Sequence, residues 1–418
     1  MATNPPATAL RVAAKLLRRC DELAAISSLP DAICRVYLSP EHQRANELVG
    51  QWMVAAGMQT KVDAAGSICG RYAGATDAQK TLVIGSHLDT IPDAGRYDGI
   101  LGVLMGIELV DALHQSGIRL PFAVEVVGFA EEEGVRFGAT LMTSRAFAGT
   151  WDSAWSELVD AAGISLHEAL ADFGLNHAAI AAAQRKPEDL LGYLEVHIEQ
   201  GPVLESLSAP VGVVTAIAGA RRAEITITGL AGHAGTTPMN LRRDALVAAA
   251  QAIGLLEQLA REQDVVGTVG QIRCEPGGVN VIPGRVIFSV DVRAADDARR
   301  DNVMTQFAAA VEQLCREREL TVAIEPTHSA GAVGCAPHLQ DLLANAVSAL
   351  GQTEHRLPSG AGHDAMAVAD LCPVGMLFLR CTHGISHNPA EAVTQADVAW
   401  AFAVLQRAVA DLGASHSE

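Results

Sequence analysis

The sequence is short of positive charge, with 30 lysine and arginine residues against 48 aspartate and glutamate residues and a formal net charge of −18. This balance argues against nucleic acid or an anionic membrane surface as a partner. No apolar run reaches the length of a membrane span, and no signal-peptide core is present. These absences predict a soluble protein, and we expect it in the cytoplasm.

The sequence also lacks CxxC pairs, although it contains eight cysteines. Cysteines scattered through a long chain are typical of buried free thiols in a reducing compartment, not of a disulfide framework or a zinc ribbon. No GxxxxGK[ST] motif is present and no GxGxxG motif follows a predicted strand, which argues against a nucleotide-binding enzyme. The 418 residues, 49% of them hydrophobic, are enough for two domains.

The segment 81–102, TLVIGSHLDTIPDAGRYDGILG, is the first that suggests chemistry. Its apolar run, residues 82–85, ends in polar residues, as a buried strand of an α/β sheet does. His87, Asp89 and Asp98 follow this strand, and ligands of such sheets gather beyond the carboxyl ends of the strands. One histidine and two aspartates there suit a metal site. A polar loop with a capping aspartate is the alternative.

A second acidic segment follows the next predicted strand, residues 122–130, which ends in Glu131, Glu132 and Glu133. A strand, a helix and a strand at this spacing form a βαβ unit and predict a largely parallel sheet. Three adjacent carboxylates repel one another, and a bound cation removes that cost. A solvated acidic turn is the alternative. Because the glutamates and the 81–102 segment both follow strands of one predicted sheet, a shared metal site is favoured.

Two later histidines also follow predicted strands. His197 lies near the end of the alternating segment 193–201, and His387 lies in the loop after the strand 374–380. A lone histidine at such a position is usually structural, but the other polar strand ends make both histidines candidate ligands. His383, in the same loop as His387, is a rival for that role.

The middle of the chain departs from the α/β pattern. Between residues 222 and 325 the predicted order is β-α-β-β-α-β, which is that of a ferredoxin-like sandwich. We therefore predict an α/β fold with a mostly parallel sheet flanked by helices and an inserted α+β domain. The first domain, which carries the polar strand ends and is the expected catalytic domain, comprises residues 1–217 and 330–418. The inserted domain, which we expect to be a lid or dimerisation domain, comprises residues 218–329.

The motifs HLDT, YDG, EEEG, HIEQGPVLE, GHAGTTPM, NVIPG, SGAGHDA and GISHNPAE occur in this order. Together they resemble the hydantoinase/carbamoylase family of dinuclear metallo-amidohydrolases. That family includes N-carbamoyl-L-amino acid hydrolases, allantoate amidohydrolases and β-ureidopropionases of one type, and it is similar in fold to dizinc aminoacylases and carboxypeptidases. The resemblance extends from about residue 20 to about residue 410.

The resemblance implies two divalent metal ions per subunit, zinc or manganese. Asp98 would bridge them, with His87 and His197 completing one metal site and Glu133 and His387 the other. Imidazole and carboxylate ligands without thiolate suit these metals. In the dizinc peptidases the position of His197 is usually an acid, so this histidine favours the carbamoylase branch.

The resemblance also implies catalytic roles. Glu132 would be the general base that takes a proton from water and then passes it to the leaving amine. Asp89 would hydrogen-bond the free nitrogen of His87 and so orient its ring. His233 would stabilise the developing oxyanion, and it would reach the site across a homodimer interface.

Substrate contacts are implied as well. Arg293 would bind the substrate carboxylate through its planar fork, although a surface arginine at a strand end is the commoner case. Gln200 and Asn280 match residues that contact the ureido or carboxylate group. Because part of this set lies in the inserted domain, we expect domain closure to assemble the site. His363 and Asp364 are interpreted as structural residues, and a position near the substrate is the alternative.

The implied function is that of a homodimeric metal-dependent hydrolase. It would cleave the terminal ureido C–N bond of allantoate or an N-carbamoyl-L-amino acid and release ammonia and carbon dioxide; the sequence does not decide between these small-molecule substrates. An aminoacylase or peptidase acting on N-acyl amino acids or dipeptides is one alternative. A catalytically silent binding protein on the same fold is another, although no expected ligand and no base is missing.

Overall fold

The computed structural model describes residues 4–76 and 80–416. The α-helices of this part are α1 (Ala7–Ala24), α2 (Pro40–Ala55), α3 (Ile100–Gln115), α4 (Met142–Ala148), α5 (Leu166–Asp172), α6 (Val203–Ser206), α7 (Ala245–Glu262), α8 (Asp297–Glu317), α9 (Pro337–Ala349), α10 (Asp364–Val368) and α11 (Gln395–Ser415). The strands are β1 (Gln59–Val62), β2 (Ile68–Tyr72), β3 (Thr81–His87), β4 (Ala123–Phe129), β5 (Leu190–Ile198), β6 (Val211–Ile217), β7 (Gly219–Thr228), β8 (Gly232–His233), β9 (Val266–Thr268), β10 (Ile272–Glu275), β11 (Val281–Ile282), β12 (Arg285–Ala294), β13 (Thr321–Ala330), β14 (Val333–Gly334), β15 (Arg356–Ser359) and β16 (Val374–Leu379).

The chain forms two compact units. The first contains the described residues up to Thr215, the segment Cys335–Leu357 and the described residues from Ala361 onward. The second contains Ala216–Gly334 together with Pro358–Gly360.

The first unit is built on a sheet with the strand order β1-β2-β4-β3-β5-β16-β6. Its four central strands, β4, β3, β5 and β16, are parallel to one another. The strands on either side are antiparallel: β2 to β4, and β6 to β16. The predicted parallel arrangement is therefore confirmed for the centre of the sheet, and the carboxyl ends of four neighbouring strands meet at one edge.

The centre of this sheet is buried. Every residue of β3, β4 and β16 is buried, as expected for parallel strands covered on both faces. Helix α3, which follows Asp98, is buried from Ile100 to Val110. A side-chain carbon at Gly102 would overlap the main-chain oxygen of Val196, so glycine lets this helix lie directly against β5. The close packing fixes the position of Asp98 relative to β5.

The second unit combines an antiparallel sheet with two helices. The strand order is β10-β12-β7-β13, with β9 also paired to β12. Buried residues of α7 and α8 pack with Ile225, Phe288 and their neighbours to form the core of this unit. The short strands β8 and β11 form a separate pair.

Two segments are interrupted. Residues 265–274 contain two strands, β9 and β10, and at the interruption Gln271 donates its main-chain N–H to the Ser289 hydroxyl (3.0 Å). Residues 151–189 contain only α5 and short 3-10 helices at Ser153–Glu157, His177–Ala183 and Pro187–Asp189. Gly163 and Gly174 adopt positive φ there and separate the pieces.

In residues 4–76 and 80–416, no helix combines the length and the apolar character needed to cross a membrane.

Candidate active site

Polar residues from four neighbouring strand ends meet at the carboxyl edge of the first unit's sheet. His87 ends β3, Glu132 and Glu133 follow β4, His197 lies near the end of β5, and His387 follows β16. His87, Asp98, Glu132 and His197 are buried, Glu133 is half-buried and His387 is exposed. Candidate ligand atoms of these residues lie within 4.8 Å of one another in groups of three, and Asp98 belongs to two of the groups.

The two carboxylate oxygens of Asp98 face different partners. Oδ1 lies 3.2 Å from His197 Nε2 and 3.8 Å from His87 Nε2. Oδ2 lies 3.3 Å from His387 Nε2, which is itself 3.3 Å from Glu133 Oε1. The structure thus brings together all five residues predicted as ligands, in the two groups that the resemblance implies.

The electrostatics of this cluster suit cations. Burial opposes ionisation of Asp98, but the neighbouring imidazoles of His197, His387 and His87 hold its pKa well below the usual range. Asp98 and Glu133 raise the pKa of His387 to about 10. Asp98 Oδ1 and His197 Nε2 are buried without a hydrogen-bond partner, an arrangement that normally requires an explanation. Divalent cations would satisfy these atoms and replace the protons on the imidazoles.

Main-chain oxygens orient two of the imidazoles. His87 Nδ1 lies 3.0 Å from the Asp89 oxygen, and His197 Nδ1 lies 2.9 Å from the Ile198 oxygen. In each ring the other nitrogen, Nε2, consequently faces Asp98. Gly99 has a φ of 71°, and a side chain at this position would overlap the His87 ring. The glycine of the YDG motif therefore makes room for a candidate ligand.

The predicted hydrogen bond between Asp89 and His87 is present, but it is made by the main-chain oxygen of Asp89 and not by its carboxylate. The carboxylate oxygen lies 3.7 Å from His87 Nδ1, while the main-chain oxygen of Asp89 occupies the hydrogen-bonding position. The carboxylate instead accepts the main-chain N–H groups of Glu132 (3.3 Å) and Glu133 (3.2 Å). Asp89 therefore joins the loop after β3 to the acidic segment after β4.

The three glutamates after β4 have different surroundings. Glu131 turns away from the cluster, and its Oε1 accepts main-chain N–H groups of Arg136 (2.9 Å) and Phe137 (2.7 Å). Glu132 and Glu133 together form one candidate ligand group with His87. Burial, partly opposed by His87, raises the pKa of Glu132 well above its usual value. Glu132 thus lies beside the ligand groups without belonging to the Asp98 cluster.

Gln200 and two residues that the sequence analysis missed surround Asp98. Gln200 Nε2 donates to Asp98 Oδ2 (2.8 Å), and so does the Ser386 hydroxyl (2.8 Å). The Glu391 carboxylate is buried and accepts the main-chain N–H groups of Tyr97 (2.8 Å) and Asp98 (3.3 Å). Both missed residues lie in the GISHNPAE motif, so their proximity to His387 was the available signal.

Other histidines near the cluster have separate positions. His383, the rival of His387, is exposed and lies 3.7 Å from Glu205, so it does not take part. His363 is buried, and its ring centroid lies 4.4 Å from that of His197. Glu195 lies within 4.8 Å of both rings, measured between candidate ligand atoms. It is a buried carboxylate that the sequence analysis missed, and it accepts the Ser86 hydroxyl (2.8 Å).

The second unit carries His233, Asn280 and Arg293. His233 and Asn280 are neighbours, because Ala234 donates its main-chain N–H to the Asn280 oxygen (2.9 Å). The Arg293 side chain is 33% exposed and forms an ion pair with Asp291 (3.0 Å). It lines a cavity of about 630 Å³ within this unit.

Comparisons with known proteins identify the family of the chain. Residues 83–411 match the family described as Peptidase family M20/M25/M40. The N-carbamoyl-L-amino acid amidohydrolase of Geobacillus stearothermophilus is 41% identical over 397 residues, 94% of this chain and 97% of that protein. Allantoate deiminase 1 of Glycine max is 40% identical over 415 residues, 92% of this chain and 86% of that protein.

A solved structure gives the same result. An amidase of the hydantoinase/carbamoylase family from Burkholderia multivorans matches with a TM-score of 0.89 and 34% identity, over 95% of this chain and 96% of that chain. The chain belongs to peptidase family M20/M25/M40 and, within it, to the hydantoinase/carbamoylase amidases. The predicted resemblance and the predicted enzyme class, a hydrolase of amide bonds, are confirmed. The family and the ligand groups together support divalent metal binding.

We predict that Asp89→Asn weakens metal binding roughly 10–100-fold, the usual cost of changing a residue that orients ligands. An asparagine has one acceptor oxygen, so one of the two N–H groups of residues 132 and 133 would lose its partner. The measurement is the metal content of purified protein after dialysis against a weak chelator. Asp63→Asn is the matched control, because Asp63 is also buried and accepts two main-chain N–H groups. Equal metal retention in both variants would contradict the prediction.

Proposed function

We propose that the protein hydrolyses the terminal ureido C–N bond of allantoate or an N-carbamoyl-L-amino acid and releases ammonia and carbon dioxide. The observation that carries this proposal is the histidine at position 197, 3.2 Å from Asp98, where dizinc peptidases usually have an acid. The names of the relatives, an N-carbamoyl-L-amino acid amidohydrolase and an allantoate deiminase, support the same substrate class.

We propose that two zinc or manganese ions bind at the Asp98 cluster. His87 and His197 would hold one ion, Glu133 and His387 the other, and Asp98 both. When bound, such a pair polarises a carbonyl group and lowers the pKa of water, which supplies a nucleophile at neutral pH. The support is the donor set, which contains imidazole and carboxylate groups but no thiolate.

Glu132 is proposed as the general base and acid. Its carboxylate lies within 4.8 Å of candidate ligand atoms of His87 and Glu133. It takes a proton from the attacking water and passes it to the departing nitrogen. Glu131 is unsuited to this role, because its carboxylate is engaged by two main-chain N–H groups.

We propose that Arg293, Asn280 and Gln200 bind the substrate. The Arg293 guanidinium is already held by Asp291, and its exposed portion retains N–H groups for a carboxylate. Asn280 and Gln200 supply amide groups for the ureido function. Because Arg293 and Asn280 belong to the second unit, we propose that this unit acts as a lid whose closure completes the site.

We further propose a homodimer in which His233 from one subunit stabilises the oxyanion formed in the site of the other. His233 is exposed on the short β8–β11 pair, so its ring is accessible to a second subunit. We also infer a cytoplasmic location. Its support is that the eight cysteines are all free in the described part of the chain, as in a reducing compartment.

The test of the proposed function is a substrate panel with product identification. We expect ammonia release from allantoate or from N-carbamoyl-L-amino acids, and no hydrolysis of dipeptides, of N-acetyl amino acids or of a carbamoyl compound that lacks the carboxylate. Activity should disappear after metal removal and return with added Zn²⁺ or Mn²⁺. Hydrolysis of dipeptides alone would support a peptidase. Binding without turnover of any compound would support a silent binding protein.

We predict that Glu132→Gln retains metal but lowers kcat by about 10²–10⁴-fold, because glutamine is similar in shape and cannot transfer the proton. Metal analysis and steady-state kinetics on the same preparation check this. Glu131→Gln is the matched control and should keep most of kcat. A normal kcat in Glu132→Gln would remove this residue from the mechanism.

A mixing experiment tests the shared site. Glu132→Gln and His233→Ala homodimers should each be inactive, whereas reassorted mixed dimers contain one site with both residues intact. Equal mixing should restore about a quarter of wild-type activity, since half of the dimers are mixed and each has one good site. No recovery after verified subunit exchange would place His233 in its own subunit's site or outside any site.

A further inference from the structure

Arg35 is a buried cation with an unusual environment. It belongs to the segment that connects α1 to α2, and none of its surface is exposed. Among the described residues it forms no ion pair, its Nη2 is buried without a hydrogen-bond partner, and the Asp89 carboxylate attracts it from beyond ion-pair distance. Burying a charge without an ionic partner is costly, and an apolar side chain of similar size would often be more stable. The residue therefore calls for an explanation other than core packing.

The guanidinium of Arg35 is held by main-chain oxygens. Nε donates to the Leu88 oxygen (2.7 Å), and Nη1 donates to the oxygens of Leu23 (2.9 Å) and Ile26 (3.0 Å). The main chain of Arg35 binds Thr90 twice: its N–H donates to the Thr90 hydroxyl (3.0 Å), and its oxygen accepts the Thr90 N–H (3.0 Å). Arg35 thus fixes both ends of the loop 88–90 against the end of α1.

The loop 88–90 in turn contacts both candidate ligand groups. The Asp89 oxygen lies 3.0 Å from His87 Nδ1, and this bond orients the ring toward Asp98 Oδ1. The Asp89 carboxylate binds the main-chain N–H groups of Glu132 and Glu133, and Glu133 belongs to the group around Asp98 Oδ2. A shift of this loop would move ligands of both groups together.

We propose that Arg35 is a positioning residue for metal binding, which sets the geometry of both ligand groups through the loop 88–90. The inference rests on the metal ligands of the proposed function. It adds a residue that contacts neither the candidate ligands nor the substrate groups.

The experiment uses metal-free full-length protein titrated with Zn²⁺ against a chelating dye, together with the visible spectrum of the Co²⁺ form. Arg35→Lys keeps the charge but cannot reach three main-chain oxygens at once. Thr90→Val removes the hydroxyl that accepts the Arg35 N–H, and Thr90→Ser keeps it. We expect about 10–100-fold weaker binding of both ions in Arg35→Lys and Thr90→Val, an altered Co²⁺ spectrum, and near-normal values in Thr90→Ser.

Arg300→Lys is the matched control, because Arg300 is also buried and donates to a main-chain oxygen, that of Ala330 (2.7 Å), in the second unit. Its Zn²⁺ affinity should stay normal even if its melting temperature falls. Wild-type affinity and spectrum in both Arg35→Lys and Thr90→Val would overturn the inference and leave the proposed function standing. If Arg35→Lys does not fold, the Thr90→Val and Thr90→Ser pair decides. Absence of metal binding in the wild type would overturn the inference and the proposed metal site together.

Discussion

The carboxylate of Asp98 is the group on which the rest of the site depends. One of its oxygens faces His87 and His197, and the other faces His387 and Glu133. A carboxylate can serve two sets of partners in this way only if its own orientation is fixed. Here the main-chain N–H of Asp98 is bound by Glu391, and its Oδ2 is bound by Ser386 and Gln200. The loops after β5 and β16 therefore determine the direction of one side chain.

The neighbourhood of this carboxylate is strongly acidic. Burial raises the pKa of Glu131 to about 8 and that of Glu391 to about 7, and it raises the pKa of Asp364 well above the usual range. Arg35, the buried cation that holds the loop 88–90, binds oxygens of the main chain instead of a carboxylate. The site consequently brings several buried carboxylates together, which is an environment that favours multivalent cations.

The sequence predicted the parallel centre of the sheet and the five candidate ligands for the same physical reason. Parallel strands carry their carboxyl ends to one edge, so a polar residue at the end of each buried strand is bound to meet the others. Motif order then divided the ligands between the two groups. These inferences needed only strand positions and residue types.

The remaining features depend on main-chain positions that no residue pattern records. The choice of the Asp89 oxygen over its carboxylate as the partner of His87 is set by the loop path, and the ion pair of Arg293 with Asp291 by the local strand geometry. Arg35 acts through oxygens of residues 12 and 53 positions away, so its role has no signature in the sequence. The lid, dimer and substrate assignments come from the resemblance.

The place of β16 in the sheet has a consequence for biosynthesis. This strand lies between β5 and β6, yet it is separated from them by more than 150 residues of chain. During translation both neighbours are complete long before β16 leaves the ribosome, and each must wait with an unpaired edge, the kind of surface that promotes aggregation. His387 follows directly after β16. A nascent chain thus gains its last candidate ligand only when the gap in the sheet closes, so the five candidate ligands come together at the end of folding.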